Sequence, residues 1–322
     1  MRIVMMGTGT FAEPTFEALI AAKRTVVGLV TQPDREGVKV RGSTRQTGRG
    51  MTTIAQEAGI PIAQPQKINT PEGLAALRDF APDLLVVAAY GQILSRDVIA
   101  MPPLGAVNVH ASLLPKYRGA SPIAHAILAG ETQTGVTIIR ITLGLDAGDM
   151  LAQEAIDIGP EETTGELEAR LAPLGARLCV DVLTRMDAGP VTGEKQDPAL
   201  VTKAPKLAKE HGQLDWSLPA EQLVCHVRAM QPWPTAYTFL HRPGKEPMRL
   251  VICRCSAAHF SASAVPGDLL SQVERGRLLV RTGGDTCLEI LELQPAGKKR
   301  MTANEFLRGY PIQPSYKFGS EN

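Results

Sequence analysis

Asn108, His110 and Asp146 are the residues of this chain whose types could do chemistry together. An amide can donate to a carbonyl oxygen that is becoming an oxyanion. An imidazole can move or steady a proton, and a carboxylate can orient the imidazole or take a proton itself. Asn108 and His110 stand two apart in the run VNVH, so on a strand they share a face. Asp146 comes much later, in the Gly-bearing segment LDAGDM. Taken singly, each has an ordinary structural reading: a strand-end amide serving backbone groups, a hydrogen-bonded histidine, a turn aspartate. Whether the three form one site depends on the elements that carry them.

Those elements alternate. MRIVMMG (1–7) and TVVGLVT (25–31) are β-branched apolar runs of strand length, with FAEPTFEALIAA between them at helical spacing and Pro14 in its first turn. TTIAQEAG and PEGLAALRDF read as helices, and DLLVVAAY (83–90) as a strand buried on both faces. Strands separated by helices predict an α/β fold, a Rossmann-like doubly wound and mostly parallel sheet. In such sheets ligands sit at the carboxyl ends of the strands, where Tyr90-Gly91-Gln92 and Asn108-Val109-His110 fall. Gly7-x-Gly9-x-x-Ala12 imitates a dinucleotide fingerprint, but Asp34, the nearest acidic residue, lies beyond Pro33 in a turn, so the glycines read as a tight strand-to-helix turn. TTGELEARLAPLGARLCVDVLTRM predicts a long helix broken at Pro173.

The pattern changes near residue 188. Residues 1–188 form the expected catalytic domain, the Gly-, Pro- and Lys-rich residues 189–205 a linker, and residues 206–322 a second domain. There Ser217 is expected to cap a helix ending at Met230. Short strands at close intervals follow, and Thr302-x-x-Glu305 forms a capping box. That rhythm predicts a small OB-like β-barrel, a common platform for nucleic acid.

Charge is uneven. Residues 201–322 carry 16 Lys+Arg against 11 Asp+Glu, a balance of +5, while residues 1–200 stand at −4. A basic island, Arg35, Lys39, Arg41, Arg45 and Arg49, lies in a stretch with no apolar periodicity. Basic residues grouped in this way suit a polyanionic partner. The five cysteines show no zinc-knuckle spacing and read as buried reduced thiols. No apolar run approaches the roughly 20 residues of a membrane span, and no signal segment is evident, so a cytoplasmic protein is expected.

The run Ser112-Leu113-Leu114-Pro115-Lys116-Tyr117-Arg118-Gly119, preceded by Asn108-Val109-His110 and followed by Gly144-Leu145-Asp146-Ala147-Gly148-Asp149, resembles the signature of the 10-formyltetrahydrofolate-dependent formyltransferases. Thr31-Gln32-Pro33-Asp34-Arg35, Lys203-Ala204-Pro205-Lys206-Leu207, Asp215-Trp216, Pro232-Trp233-Pro234, Glu292-Leu293-Gln294-Pro295 and Lys298-Lys299-Arg300-Met301 resemble the branch of that family that acts on initiator methionyl-tRNA. The likeness covers nearly the whole chain, although the 36–51 segment departs from the family's usual Pro-Ala-Gly-Arg-Gly-Lys-Lys run.

The resemblance implies transfer of the formyl group of 10-formyltetrahydrofolate to the α-amino group of methionyl-tRNA, without a metal. It implies that Asn108 and His110 donate to the oxyanion, and that Asp146 accepts the amine proton and holds the His110 ring. It implies a pterin slot between the Ala88, Ala89, Tyr90, Gly91, Gln92, Ile93, Leu94 stretch and Leu143, Gly144, Leu145, with Ser112, Leu113, Leu114 and Pro115 as scaffold and substrate wall. The tRNA would meet Arg35, Lys39, Arg41, Arg45 and Arg49 at its acceptor stem, and Lys206, Lys209, Lys298, Lys299 and Arg300 along its phosphates. A monomer is expected. Two other readings stay open: a folate-dependent formyltransferase or hydrolase acting on a small amine, and a non-catalytic RNA-binding protein.

Overall fold

The strand bearing Asn108 and His110 lies inside a seven-stranded sheet with the order β3-β2-β1-β4-β5-β6-β7. Its members are β1 (Arg2–Gly7), β2 (Thr25–Val30), β3 (Ile62–Ala63), β4 (Leu84–Ala88), β5 (Ala106–His110), β6 (Gln133–Arg140) and β7 (Met150–Asp157). The computed structural model describes residues 1–33, 48–259, 264–270, 276–313 and 315–321. The first five strands pair parallel, whereas β6 and β7 form an antiparallel hairpin at the edge. Helices α1 (Glu13–Ala21), α2 (Met51–Glu57), α3 (Pro71–Asp79), α4 (Arg96–Ala100), α5 (Pro122–Leu128) and α6 (Thr164–Ala188) connect the strands or follow them. The Rossmann-like expectation therefore holds, as a mixed sheet.

The buried interior explains the strand order. β4 is buried at every position, as a central parallel strand must be. Gly7 permits close strand–helix packing, because a Cβ there would stand 2.7 Å from the Ala12 Cβ and 2.9 Å from the Ala88 carbonyl oxygen. The 25-residue α6 runs on through Pro173 instead of breaking there. Leu167, Leu171, Cys179, Val182 and Leu183 are fully buried along it. Burial stabilises by about 1.5–3 kcal/mol for each large apolar side chain, which together outweighs the roughly 3 kcal/mol cost of an interior proline.

The chain divides into two compact units, the first running to Lys206 apart from short excursions and the second taking in Leu207–Asn322. The second unit carries α7 (Ala220–Ala229), β8 (Ala236–Arg242), β9 (Lys245–Ala258), β10 (Leu278–Arg281), β11 (Cys287–Pro295), β12 (Met301–Thr302), α8 (Ala303–Gly309) and β13 (Lys317–Gly319). Its strands pair antiparallel in the order β10-β11-β9-β8-β13, with β12 on β11. Isolated bridges at Leu269↔Val280 and Asp268↔Lys317 join the two edge strands through one short segment. The sheet thereby curls towards closure, which removes the open edges that invite aggregation. Trp216 fills its interior: Nε1 donates to the Thr238 hydroxyl at 2.9 Å, and the indole lies 5.5 Å from the Phe318 ring.

The Thr302–Glu305 capping box forms as expected. Ser217 does not cap α7, whose N-cap is Pro219; its hydroxyl instead donates to the Asp215 carboxylate at 2.6 Å. Cys179 and Cys255 are pushed up to about 12 by burial, consistent with inert thiols. No helix among the described residues is long and apolar enough to cross a membrane.

Burial pushes the His226 imidazole on α7 below its usual pKa, and its Nε2 has no hydrogen-bond partner among the described residues. On acidification the unfolded chain therefore takes up this proton first. The stability contributed by neutral His226 is complete above about pH 6.5 and is lost as the pH falls from there towards the folded-state value. Replacing His226 with Leu should flatten the decline in unfolding free energy between about pH 6.5 and 5. Urea titrations at the two pH values check this; an unchanged slope would show that His226 is not the group responsible.

Candidate active site

Alternation along β5 separates its side chains. Val109 faces α6, since a Cβ on Gly175 would stand 2.6 Å from the Val109 Cγ1. Asn108 and His110 therefore look out from the opposite face of the sheet. Because β6 runs antiparallel to β5, the loop 141–149 leaves the sheet at the amino end of β5, where the Ile141 N–H donates to the Ala106 carbonyl at 2.8 Å. The loop then folds back across the face that Asn108 and His110 share. A carboxyl-end rim, the position expected from a fully parallel sheet, thus describes the approach of β5 but not that of Asp146. Gly148 makes the return possible: a Cβ there would lie 1.8 Å from the Arg140 carbonyl oxygen.

Asp146 is the meeting point. It adopts the left-handed backbone region, with φ 48°. Its Oδ1 accepts from the Asn108 amide at 3.4 Å, and its Oδ2 accepts from the Gly119 N–H at 2.9 Å. His110 Nδ1 stands 3.6 Å from Oδ2, and His110 Nε2 lies 3.0 Å from the Tyr117 carbonyl. A carbonyl only accepts, so in this ring orientation Nε2 carries a hydrogen. A favourable contact between Nδ1 and the carboxylate then needs a proton between them. Both ring nitrogens thus face groups inside the protein, Nε2 within hydrogen-bond reach and Nδ1 just beyond it.

The Tyr117–Gly119 turn is itself fastened. Tyr117 N–H donates to the Thr202 hydroxyl, Arg118 N–H to the Thr202 carbonyl, and Ala204 N–H to the Arg118 carbonyl. Gln196 is the residue that sequence reasoning missed. Its amide nitrogen lies 2.8 Å from both the Asp146 and Gly148 carbonyls, and its oxygen accepts from Arg118. Gln196 lies in a Gly-, Pro- and Lys-rich stretch without periodicity, which offers no signal for a buried polar side chain.

The residues expected to wall a pterin divide into two groups. Ile93, Leu143 and Leu145 are exposed by 80%, 59% and 64%, unusual values for large apolar side chains. Ala89, Gly91 and Gly144 are exposed as well. Ile141, at the root of the Leu143–Leu145 segment, packs against the cluster that contains Tyr90 and Leu94. Tyr90 and Leu94 belong to that core, so their side chains support the wall from behind, and Ala88 is fully buried on β4 outside that cluster. Burial pushes the Tyr90 phenol up to about 12, and its hydroxyl has no hydrogen-bond partner among the described residues. Gln92 is committed to backbone: it accepts from the Ile68 N–H and donates to the Gln66 carbonyl. Ser112 and Leu114 are buried, Leu113 and Pro115 half-buried. The Ser112 hydroxyl donates to the Lys116 carbonyl, and the Leu114 N–H donates to the Thr137 hydroxyl.

Of the cations expected on a tRNA path, Arg35, Lys39, Arg41 and Arg45 lie outside the described residues. Arg49 pairs with Glu17 and Glu57, while its N–H and that of Gly50 donate to the buried Glu13 carboxylate. The Glu17 hydrogen bond, aided by the Glu57 charge, raises the pKa of its guanidinium. Arg49 thus ties α1 to α2. Arg300 Nε donates to Glu292 at 2.5 Å. Lys206, Lys209, Lys298 and Lys299 are exposed.

Residues 1–183 match the formyl transferase family, and residues 206–311 match the formyl transferase C-terminal domain. The chain belongs to the formyl transferase family. Among relatives, the methionyl-tRNA formyltransferase of Citrifermentans bemidjiense is 43% identical over 323 residues, covering 100% of this chain and 98% of its own. The methionyl-tRNA formyltransferase of Chloroflexus aggregans is 44% identical over 309 residues, covering 96% and 97%. The solved structure of WlaRD, a sugar 3N-formyl transferase, in the presence of dTDP and 5-N-formyl-THF, superposes with a TM-score of 0.66 at 15% identity, covering 93% of this chain and 99% of that one. At that identity the likeness is one of formyl transferase fold.

Gly119 carries a strict local demand. Its φ is 130°, and a Cβ would stand 2.4 Å from the Ala204 carbonyl oxygen. Gly119→Ala should lower the unfolding free energy by about 1–3 kcal/mol and displace the N–H that holds Asp146. A denaturant midpoint equal to that of the parent protein would rule this out.

Proposed function

We propose that this formyl transferase moves the formyl group of 10-formyltetrahydrofolate to the α-amino group of initiator methionyl-tRNA. The observation that carries the reading is the convergence of an amide and a carboxylate, 3.4 Å apart, beside exposed apolar side chains. It occurs in a chain whose likeness to enzymes named for methionyl-tRNA runs through both units. A flat pterin needs apolar faces on either side, and Ile93, Leu143 and Leu145 offer them without rearrangement of the core. The 5-N-formyl-THF of the WlaRD structure belongs to the same chemical class as the donor proposed here.

The geometry supports the following roles. The attack of an amine on a formyl carbon creates an oxyanion and a positively charged nitrogen. One Asn108 N–H faces Asp146, and its amide supplies the donor for the oxyanion. His110 turns Nε2 to the Tyr117 carbonyl and Nδ1 towards Asp146, so in this reading its part is to steady that carboxylate rather than to reach the oxygen. Asp146 takes the proton that the nitrogen must lose, with the Gly119 N–H and the His110 ring balancing its charge. A neutral amine is a sufficient nucleophile for this step, so no metal is required by it. The tRNA end would be guided by exposed Lys206, Lys209, Lys298 and Lys299, and a tRNA substrate places the activity in the cytoplasm.

Incubation with 10-formyltetrahydrofolate and methionyl-tRNA should give formylmethionyl-tRNA; formylation of free small amines alone would overturn the reading. Asn108→Ala should lower kcat by roughly 10²–10³-fold, equivalent to about 2.7–4 kcal/mol of lost transition-state stabilisation, with folate affinity retained. An unchanged kcat would remove Asn108 from the mechanism. Replacing Lys298 and Lys299 with Ala should reduce the slope of log K against log salt for tRNA binding by roughly 1–2. If filter-binding titrations at several salt concentrations give parallel lines, this hairpin does not contact phosphates.

A further inference from the structure

We infer that Gln196 is a positioning residue for the catalytic carboxylate: its amide, braced by Arg118, holds the Asp146 turn in the conformation that aims the carboxylate at Asn108 and His110. The inference rests on the proposed role of Asp146, and goes beyond it by assigning what sets that residue's geometry.

Asp146 has φ 48°, a region in which a Cβ crowds the following carbonyl and which few residues other than glycine occupy unless something holds them there. The Gln196 amide nitrogen has two hydrogens, and it finds two carbonyls at 2.8 Å, those of Asp146 and Gly148. It therefore spans the turn from its centre to its end. The orientation of the amide is fixed by its surroundings. Arg118 only donates, and its Nε and Nη2 approach Oε1 at 3.0 and 2.8 Å; the two carbonyls only accept. A flipped amide would lose all four contacts. Gln196 is 9% exposed, so water does not offer these groups a substitute.

The brace closes on itself. Arg118 binds Gln196 through its side chain, while its backbone is bridged to Lys203. The next residue, Gly119, donates its N–H to the Asp146 carboxylate. The Arg118–Gly119 pair thus fixes Asp146 twice, through Gln196 to its backbone and directly to its side chain. A displaced Gln196 would release the backbone half.

Gln196→Glu and Gln196→Met separate positioning from packing. Glutamate retains an oxygen for Arg118 but turns a second oxygen towards two carbonyls; methionine keeps the volume and loses every hydrogen bond. Both should lower kcat for formyl transfer by roughly 10–100-fold, the scale on which small misplacements of a reacting group act, with KM for methionyl-tRNA little changed. Hydrogen exchange supplies a readout independent of activity. The Gly119 amide should exchange faster by about tenfold or more, while β5 amides such as Val107 stay protected. Unchanged kcat together with unchanged Gly119 exchange in Gln196→Glu would overturn the inference. So would equal acceleration at Gly119 and Val107, which marks loss of the fold as a whole. If one variant does not fold, the other decides. Should the parent protein not formylate methionyl-tRNA, the proposed function fails, and Gly119 exchange still decides whether Gln196 holds the turn.

Discussion

The Asp146 carboxylate is a charge held among the Asn108 amide, the Gly119 N–H and the His110 ring, on a residue whose backbone is in the left-handed region. A partly buried anion needs donors to compensate the water it loses. Here the groups around it come from two segments of chain, β5 and the 117–119 turn, and the carboxylate itself from a third. The carboxylate therefore does structural work beside the chemistry proposed for it: satisfying it requires β5, the 117–119 turn and the 141–149 loop to be in register at once. Tyr117 adds a second constraint, because its carbonyl decides which nitrogen of His110 carries hydrogen. The orientation of the ring is thus set partly by a backbone group on the turn that also presents Gly119.

That turn is stabilised from a distance in sequence. Glu194 and Met150 exchange backbone hydrogen bonds, Gln196 grips the 146–148 backbone, and Thr202 and Ala204 pair with Tyr117, Arg118 and Ser121. Residues 194–204 act as a strap across both loops that build the site. Loops with few buried apolar contacts open easily, and such a strap supplies the missing restraint through backbone pairing. It also explains why a polar, exposed-looking stretch keeps a buried glutamine at its centre.

How far the sequence disclosed this depends on what each feature is made of. Strands such as Leu84–Ala88 announce themselves by continuous apolar composition, and the Thr302–Glu305 capping box by two residues at fixed spacing. Asn108 and His110 were legible as a pair because alternation along a strand places them on one face. The return of the 141–149 loop was not, because it follows from β6 running antiparallel to β5, and apolar periodicity carries no strand direction. The 194–204 strap was invisible for a related reason: its contacts are backbone to backbone, or one amide to two carbonyls, and composition does not encode them. Pro173 misled in the opposite direction, since its local cost was apparent and the burial that offsets it was not.

Counting cations proved a poor guide to where a polyanion could be held. Arg49 belongs by composition to the basic island, yet its guanidinium is shared between Glu17 and Glu57. A phosphate would have to displace two carboxylates to reach it, exchanging one ion pair for another with little gain. Arg300 is similarly occupied by Glu292, although its neighbours Lys298 and Lys299 are exposed at the hairpin tip. Glu292 pairs with Thr302 across β11 and β12, so its bond to Arg300 braces the hairpin from which the two lysines project. A guanidinium spent on positioning and ammonium groups left for solvent or phosphate are a division of labour that suits the two side chains: the planar fork of arginine fixes geometry, and the flexible stem of lysine tracks a backbone without demanding one register.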